Sequence, residues 1–345
     1  MDLNKLVRKN IQQMKPYSSA RDEYKDLQTD MVFLDANENP FDSSLNRYPD
    51  PQQTALKAII SKQKEVASDQ ILLGNGSDEV LDLIFRAFCE PNQDSILTLP
   101  PTYGMYEVLA NLNAIENIQV PLNSDFQIEV DSILEHIKPT TKLLFICSPN
   151  NPSGNTVDRT AVERLLKDFK GLVVIDEAYI DFTEESSWIQ WLNVYPNLIV
   201  TQTLSKAYGL AGIRLGICYA SKEIIAVLNK IKPPYNINTL TQEAALKALH
   251  NKEVVSDQIA SIINERNRLN KALETYPFIK KLYPSEANFI LIKVDDANKR
   301  YDELIKNGIV VRNRSSQSHC ENCLRITVGT PSENTQLLTL LKTLK

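Results

Sequence analysis

The sequence predicts an α/β protein, with a large domain built on a mostly parallel sheet and a smaller α+β domain after it. Apolar runs alternate with helical patterns from about residue 50 to 220, several of those runs are apolar without interruption, and the texture changes after about residue 250. Strand–helix alternation implies parallel strands joined by helices. Unbroken apolar runs suit strands covered on both faces. A chain of 345 residues is longer than one ordinary domain and can bury a sizeable core.

Taken in order, residues 1–40 lack strong periodicity and read as an N-terminal arm contributing to the small domain. The large domain, 41–251, carries the strand-like runs SILTL (95–99), IENIQV (115–120), KLLFIC (142–147), GLVVID (171–176), LIVTQT (198–203) and RLGICYA (214–220). Between them lie the helix-like segments QQTALKAIISKQ (52–63), SDEVLDLIFRAF (77–88), YGMYEVLANLN (103–113) and DRTAVERLLKDF (158–169). The domain 252–345 opens with a helical stretch over 252–276. IKKLYP (279–284), ANFILIKV (287–294), a helix near 296–307, IVVR (309–312), LRITVG (324–329) and a last helix follow.

Composition narrows the function. Net charge is −5, with no run of basic residues, which argues against a nucleic-acid partner. No stretch approaches eighteen apolar residues and the N-terminus has no apolar signal core, so a cytoplasmic protein without a membrane partner is expected. Cys89, Cys147 and Cys218 lie in apolar runs, where a thiol acts as a small hydrophobe. Cys320 and Cys323 form a lone C-x-x-C without the second pair or thioredoxin-like context that a zinc or redox site needs. His136, His250 and His319 are scattered, and no metal is expected.

Glycine is scarce, and seven of its ten positions fall in four polar clusters: GNGSDE (74–79), TYG (102–104), PNNPSG (149–154) and TLSKAYGLAGIRLG (203–216). GNGSDE opens an amphipathic helix with Ser77 as its N-cap. It is either a plain capped turn or a helix start whose N–H groups converge on a phosphate. Asp176, ending VVID, sits where α/β sheets place ligands, and it suits either a cap or a cationic ring nitrogen. Asn151 lies in a Pro/Asn/Gly turn that composition alone explains, and it is also placed to bond a ligand oxygen. Lys206 follows a strand. A lysine amine becomes nucleophilic when a cationic or desolvated setting depresses its pKa. Arg214, eight residues on, suits a phosphate.

In this order the segments PYSSAR (16–21), LDANENP (34–40), RYPDP (47–51), GNGSDE, PPTYGMY (100–106), CSPNNPSG (147–154), VIDEAY (174–179), TLSKAYGLAGIRLG and LRITVGT (324–330) resemble those of fold-type I pyridoxal-phosphate enzymes, and among them histidinol-phosphate aminotransferases. The likeness covers nearly the whole chain. It implies pyridoxal 5′-phosphate as cofactor, Lys206 as Schiff-base lysine and proton shuttle, Asp176 as partner of the pyridine nitrogen and Tyr103 as the ring-stacking residue. It further implies that Asn151 and Tyr179 bond the phenolic oxygen. The backbone of Gly76, Ser77 and Asp78, a hydroxyl of Thr203 or Ser205, and Arg214 would bind the cofactor phosphate. Tyr48 resembles a tyrosine lent to the neighbouring subunit of a homodimer. Tyr17, Asn37, Arg312 and Arg325 would meet substrate, and the peptide before Pro152 is expected to be cis. The implied reaction is ping-pong transfer between histidinol phosphate and 2-oxoglutarate, giving imidazole-acetol phosphate and glutamate. An aromatic amino acid aminotransferase and a decarboxylase of phosphorylated amino acids are the competing readings. A DNA-binding relative would need an added domain for which the short arm leaves no room.

Overall fold

The computed structural model describes residues 2–17 and 32–344; the SSAR part of PYSSAR and much of the expected arm lie outside the described residues. A seven-stranded sheet is formed by β1 (Ile71–Asn75), β2 (Ser95–Thr98), β3 (Glu116–Gln119), β4 (Thr141–Cys147), β5 (Leu172–Asp176), β6 (Leu198–Thr203) and β7 (Leu215–Ala220). The spatial order is β1-β7-β6-β5-β4-β2-β3, parallel except for β7, which runs antiparallel to both neighbours. The unbroken apolar runs have the expected cause. Leu144 and Ile146 join one buried layer while Leu143 and Phe145 join the other, and β5 divides in the same way between Val173/Ile175 and Leu172/Val174. Leu6, Val7 and Ile11, near the N-terminus, pack into the second of these layers.

A second sheet, wholly antiparallel, comprises β8 (Ile279–Leu282), β9 (Phe289–Val294), β10 (Arg312–Asn313) and β11 (Cys323–Thr327) in the order β10-β11-β9-β8. Ile290, Ile292, Leu324 and Ile326 face a separate core under the helices Lys252–Leu273, Ala297–Lys306 and Pro331–Leu341. Since side chains alternate along a strand, Cys323 and Arg325 face away from that core.

The structure differs from expectation at several elements. The ladder at IVVR is confined to β10, because the preceding helix is still being closed: Gly308 takes φ +79° and Ile309 N–H donates to Leu304 O. β1 is a strand that three apolar residues did not announce. The helices Lys222–Ile231 and Thr239–His250, capped by the side chains of Ser221 and Asn238, occupy segments where none was expected. Ser77 is not an N-cap: Asn75 holds that position and Gly76 is already helical, Asn75 N–H donating to Glu79 Oε2 at 2.6 Å. Among the described residues no helix is long and apolar enough to cross a membrane.

Candidate active site

Sheet topology creates the site. The carboxyl ends of β1, β4, β5 and β6 and the amino end of antiparallel β7 lie along one edge. Asn75 pairs with Leu215, Thr203 with Gly216 and Cys147 with Asp176. A cavity of about 120 Å³ opens there, lined by Ser77, Asp78, Tyr103, Asn151, Asp176, Tyr179, Thr203, Ser205, Lys206 and Arg214. The bond between Asn151 and Pro152 is cis, as expected, and so are those before Pro101 and Pro149.

At the cavity floor Asp176 is 3% exposed. Its Oδ2 accepts from the Tyr106 hydroxyl at 2.8 Å and its Oδ1 from Ala178 N–H at 3.2 Å. Burial raises its pKa, and these two donors oppose the rise. Tyr106 is fully buried, stacked on Phe145 at 4.9 Å and edge-on to Tyr103 at 5.6 Å. Sequence reasoning missed Tyr106, which sits in the first turn of the helix Met105–Leu112, just after Tyr103. A buried carboxylate with no ion pair among the described residues fits a cationic ring nitrogen.

At the rim, Arg214 Nη2 bonds Asp78 Oδ2 at 3.3 Å, and the Tyr103 hydroxyl donates to Asp78 Oδ1 at 3.1 Å. Gly76 N–H donates to Arg214 O at 2.9 Å, tying the helix start to the turn before β7. A Cβ on Gly216 would lie 2.3 Å from Ser77 N, so only glycine lets β7 pass this close. The other two glycines of TLSKAYGLAGIRLG do not serve a close approach: Gly209 takes φ +65° with open space around it, and Gly212 also borders open space.

Lys206 is accessible from the cavity, and its Nζ stands 5.8 Å from the Tyr179 ring centroid. Its pKa is lowered, first by desolvation in a recessed position and then by the Arg325 guanidinium. Asn151 Nδ2 points to the Tyr179 hydroxyl at 3.5 Å, and its Oδ1 accepts from Arg325 Nη1. That last bond joins the small sheet to the large one. The Thr203 hydroxyl donates to Ser205 Oγ at 3.0 Å.

The arrangement is recognisable by comparison. The family model for aminotransferase class I and II matches residues 20–341. The chain belongs to this family. Its members work with pyridoxal phosphate, and a helix start with an arginine, a buried carboxylate and a lysine of lowered pKa suit that group's phosphate, ring nitrogen and aldehyde. The histidinol-phosphate aminotransferases of Flavobacterium johnsoniae and Flavobacterium psychrophilum are each 61% identical to this chain, over 99% of both partners. Among solved structures, the histidinol-phosphate aminotransferase from Clostridium acetobutylicum superposes with a TM-score of 0.80 at 28% identity. The match covers 87% of this chain and 90% of that one.

Other expected residues stand apart from the cavity in the single chain. Asn37 and Tyr48 line a different open cleft, where Tyr48 stacks on Tyr235 at 4.4 Å. Tyr17 is 73% exposed. Arg312 lies across the ladder from Arg325. Cys320 and Cys323 are buried free thiols.

Proposed function

We propose that this aminotransferase exchanges an amino group between L-histidinol phosphate and 2-oxoglutarate by a ping-pong reaction, yielding imidazole-acetol phosphate and glutamate. The observation that carries the reading is the contact between Arg325 and Asn151. It brings the Arg325 guanidinium onto Asn151, which lines the cavity together with Lys206 and Asp176, and close enough to Lys206 to lower its pKa. The two Flavobacterium relatives support the choice of substrate.

Pyridoxal phosphate, when bound, supplies the electron sink that makes the substrate Cα proton acidic. The chain's own residues do the rest in this reading. Asp176, oriented by Tyr106 and Ala178, keeps the ring nitrogen protonated. Tyr103 covers the ring, and Asn151 and Tyr179 bond its phenolic oxygen. The N–H groups at Gly76, Ser77 and Asp78, the hydroxyls of Thr203 and Ser205, and Arg214 hold its phosphate. Lys206, its ammonium destabilised by burial and by Arg325, takes the proton from Cα. Arg325 and Arg312 receive the substrate phosphate or a carboxylate of glutamate, with Asn37 contributing a polar contact and Tyr17 closing over them.

The reading includes a cytoplasmic homodimer and the domain division 1–40, 41–251 and 252–345. Val32, Leu34, Phe41 and Leu45 are exposed apolar side chains in the stretch that leads to Tyr48. A second copy covering them would let Tyr48 reach the partner's cofactor phosphate.

The test loads the protein with pyridoxal phosphate and follows its absorbance on addition of one amine alone. Histidinol phosphate should abolish the cofactor's long-wavelength band, and 2-oxoglutarate should restore it. Conversion by phenylalanine but not by histidinol phosphate would reassign the enzyme to aromatic amino acids.

A further inference from the structure

We propose that Arg314 is a specificity-determining residue: with Arg312 and Arg325 it forms a tricationic face that holds a substrate's phosphate dianion in preference to a carboxylate. The inference rests on the substrate reading above and adds to it a residue and a rule of selection.

Backbone geometry places the three side chains together. Arg312 lies opposite Arg325 in the antiparallel ladder, so both leave the sheet on the same face. Arg314 N–H donates to Cys323 O at 2.9 Å, continuing that ladder by one residue. Arg314 is two residues from Arg312 and therefore shares its face. This is the face turned away from the small-domain core, toward Asn151 and Tyr179. The chain beyond Arg314 is fixed by two turns. Ser315 N–H donates to Asn313 Oδ1, and Gln317 N–H donates to Arg314 O, each at 2.9 Å.

Charge is the second observation. Among the described residues, neither Arg312 nor Arg314 has a side-chain hydrogen bond or an ion pair, and Arg325 bonds only the neutral Asn151 amide. Nε of Arg314 and Nε of Arg325 are buried with no acceptor among the described residues. Burial, then Arg325, then Arg312 lower the Arg314 pKa to about 10, and Tyr179 acts on it in the opposite sense. Three guanidinium groups so close, without a carboxylate among them, repel one another until an anion arrives. A carboxylate brings one negative charge, whereas a phosphate monoester brings nearly two and three acceptor oxygens. The third arginine therefore rewards the phosphate far more than the carboxylate. Arg312 and Arg325 alone would serve both.

The experiment compares wild-type holoenzyme with R314Q and R314K. Each is titrated with histidinol phosphate alone and with phenylalanine alone, the half-saturating concentration being read from loss of the cofactor band. R314Q should raise that concentration for histidinol phosphate roughly ten- to hundredfold, the loss of one charge-assisted hydrogen bond. The phenylalanine value should move less than about threefold, and R314K should recover part of the difference. Calorimetric titration of inorganic phosphate and of acetate into the same holoenzymes should give the same split. Equal shifts for both amines, or for neither, overturn the proposal. So does a phosphate affinity that R314Q leaves unchanged. If wild type converts phenylalanine and ignores histidinol phosphate, the substrate reading fails, and the phosphate and acetate titrations alone judge Arg314. If R314Q melts far below wild type, R314K decides, with a smaller shift expected in the same direction.

Discussion

The cofactor edge of the large sheet and the arginine face of the small sheet meet at Asn151, and they handle charge in opposite ways. Along the edge, charged groups are paired from within. Asp176 is held by Tyr106 and Ala178, Arg214 faces Asp78, and Glu79 is occupied by Asn75 N–H and Asn236. Across the gap Arg312 and Arg314 have no such partner among the described residues, and Arg325 has only an amide. A site that keeps one cofactor through every turnover benefits from groups oriented in advance. A site that exchanges one anionic substrate for another benefits from counter-charge that leaves with the ligand. Lys206 stands between the two regimes: it lies on the edge, yet its amine has no hydrogen bond or ion pair among the described residues, and desolvation, then Arg325, depress its pKa.

The largest effect should therefore come from removing the group that joins the regions. Lys206→Ala should reduce turnover by roughly a thousandfold or more, since a proton-transfer group and a covalent anchor are lost together. Melting temperature without cofactor should stay near wild type, because an accessible amine with no hydrogen bond contributes little to folding. A variant turning over repeatedly at the wild-type rate would remove Lys206 from the chemistry.

Asp176→Asn should separate stability from function. Burial raises the Asp176 pKa above its unfolded value, so the folded state favours the protonated acid. Its contribution to stability is present below the ordinary carboxylate range and is lost as pH rises through the raised value. At pH 7.5 the cofactor-free variant should be the more stable by about 1 kcal/mol, and near pH 4 the gap should close. The Thr201 hydroxyl, buried opposite Asp176 in the ladder and without a hydrogen-bond partner among the described residues, can accept from the new amide. With pyridoxal phosphate the order should reverse, cofactor affinity falling roughly ten- to hundredfold. Calorimetric scans with and without cofactor at both pH values check this. A lower melting temperature for the cofactor-free variant at pH 7.5 would show that the edge is not strained by this charge.

The two regions also differed in how legible they were. Three strand ends on the cofactor edge were visible, because a continuously apolar run closing on Asp176, Thr203 or Cys147 signals both the strand and the end at which ligands collect; β1, announced by only three apolar residues, was not. The turn before β7 was visible as a cluster of scarce glycines around two charges. Tyr106 was not, since a tyrosine inside an amphipathic helix reads as core until its hydroxyl is placed against Asp176. Arg314 escaped for a related reason: charged residues two apart in a short run suggest a solvated loop, and only the register with β11 shows a shared face. Asn37 and Tyr48 were recognisable as a pattern but lie away from the single chain's cavity.

Among the glycines of the edge, a smaller effect tests whether pre-orientation depends on backbone proximity. Gly216→Ala would put a Cβ 2.3 Å from Ser77 N and 2.4 Å from Gly76 C, both backbone atoms that cannot rotate away. The expected cost is about 1–3 kcal/mol of stability, with weaker cofactor binding because the helix start is displaced. Gly212→Ala, beside open space, should stay within about 0.5 kcal/mol of wild type. Chemical denaturation of the pair measures the contrast, and equal losses would refute it.

The smallest effect is expected at Asp78, where the edge most resembles an ordinary surface. The Arg214–Asp78 pair is 3.3 Å long with its side chains 47% and 39% exposed, so its removal should cost less than about 1 kcal/mol. Asp78→Asn keeps an acceptor for the Tyr103 hydroxyl while deleting a negative charge at a helix start offered to a phosphate. Two consequences oppose each other: Arg214 loses a partner that holds it in place, and the phosphate loses a repelling neighbour. At this exposure both are screened, and cofactor affinity should change by no more than a few-fold, measured by fluorescence quenching at two salt concentrations. A loss above about tenfold would mean that orientation of Arg214 by Asp78 outweighs charge. The edge would then depend on its internal pairs even where they face water, and the contrast with the unpaired arginines would be stronger.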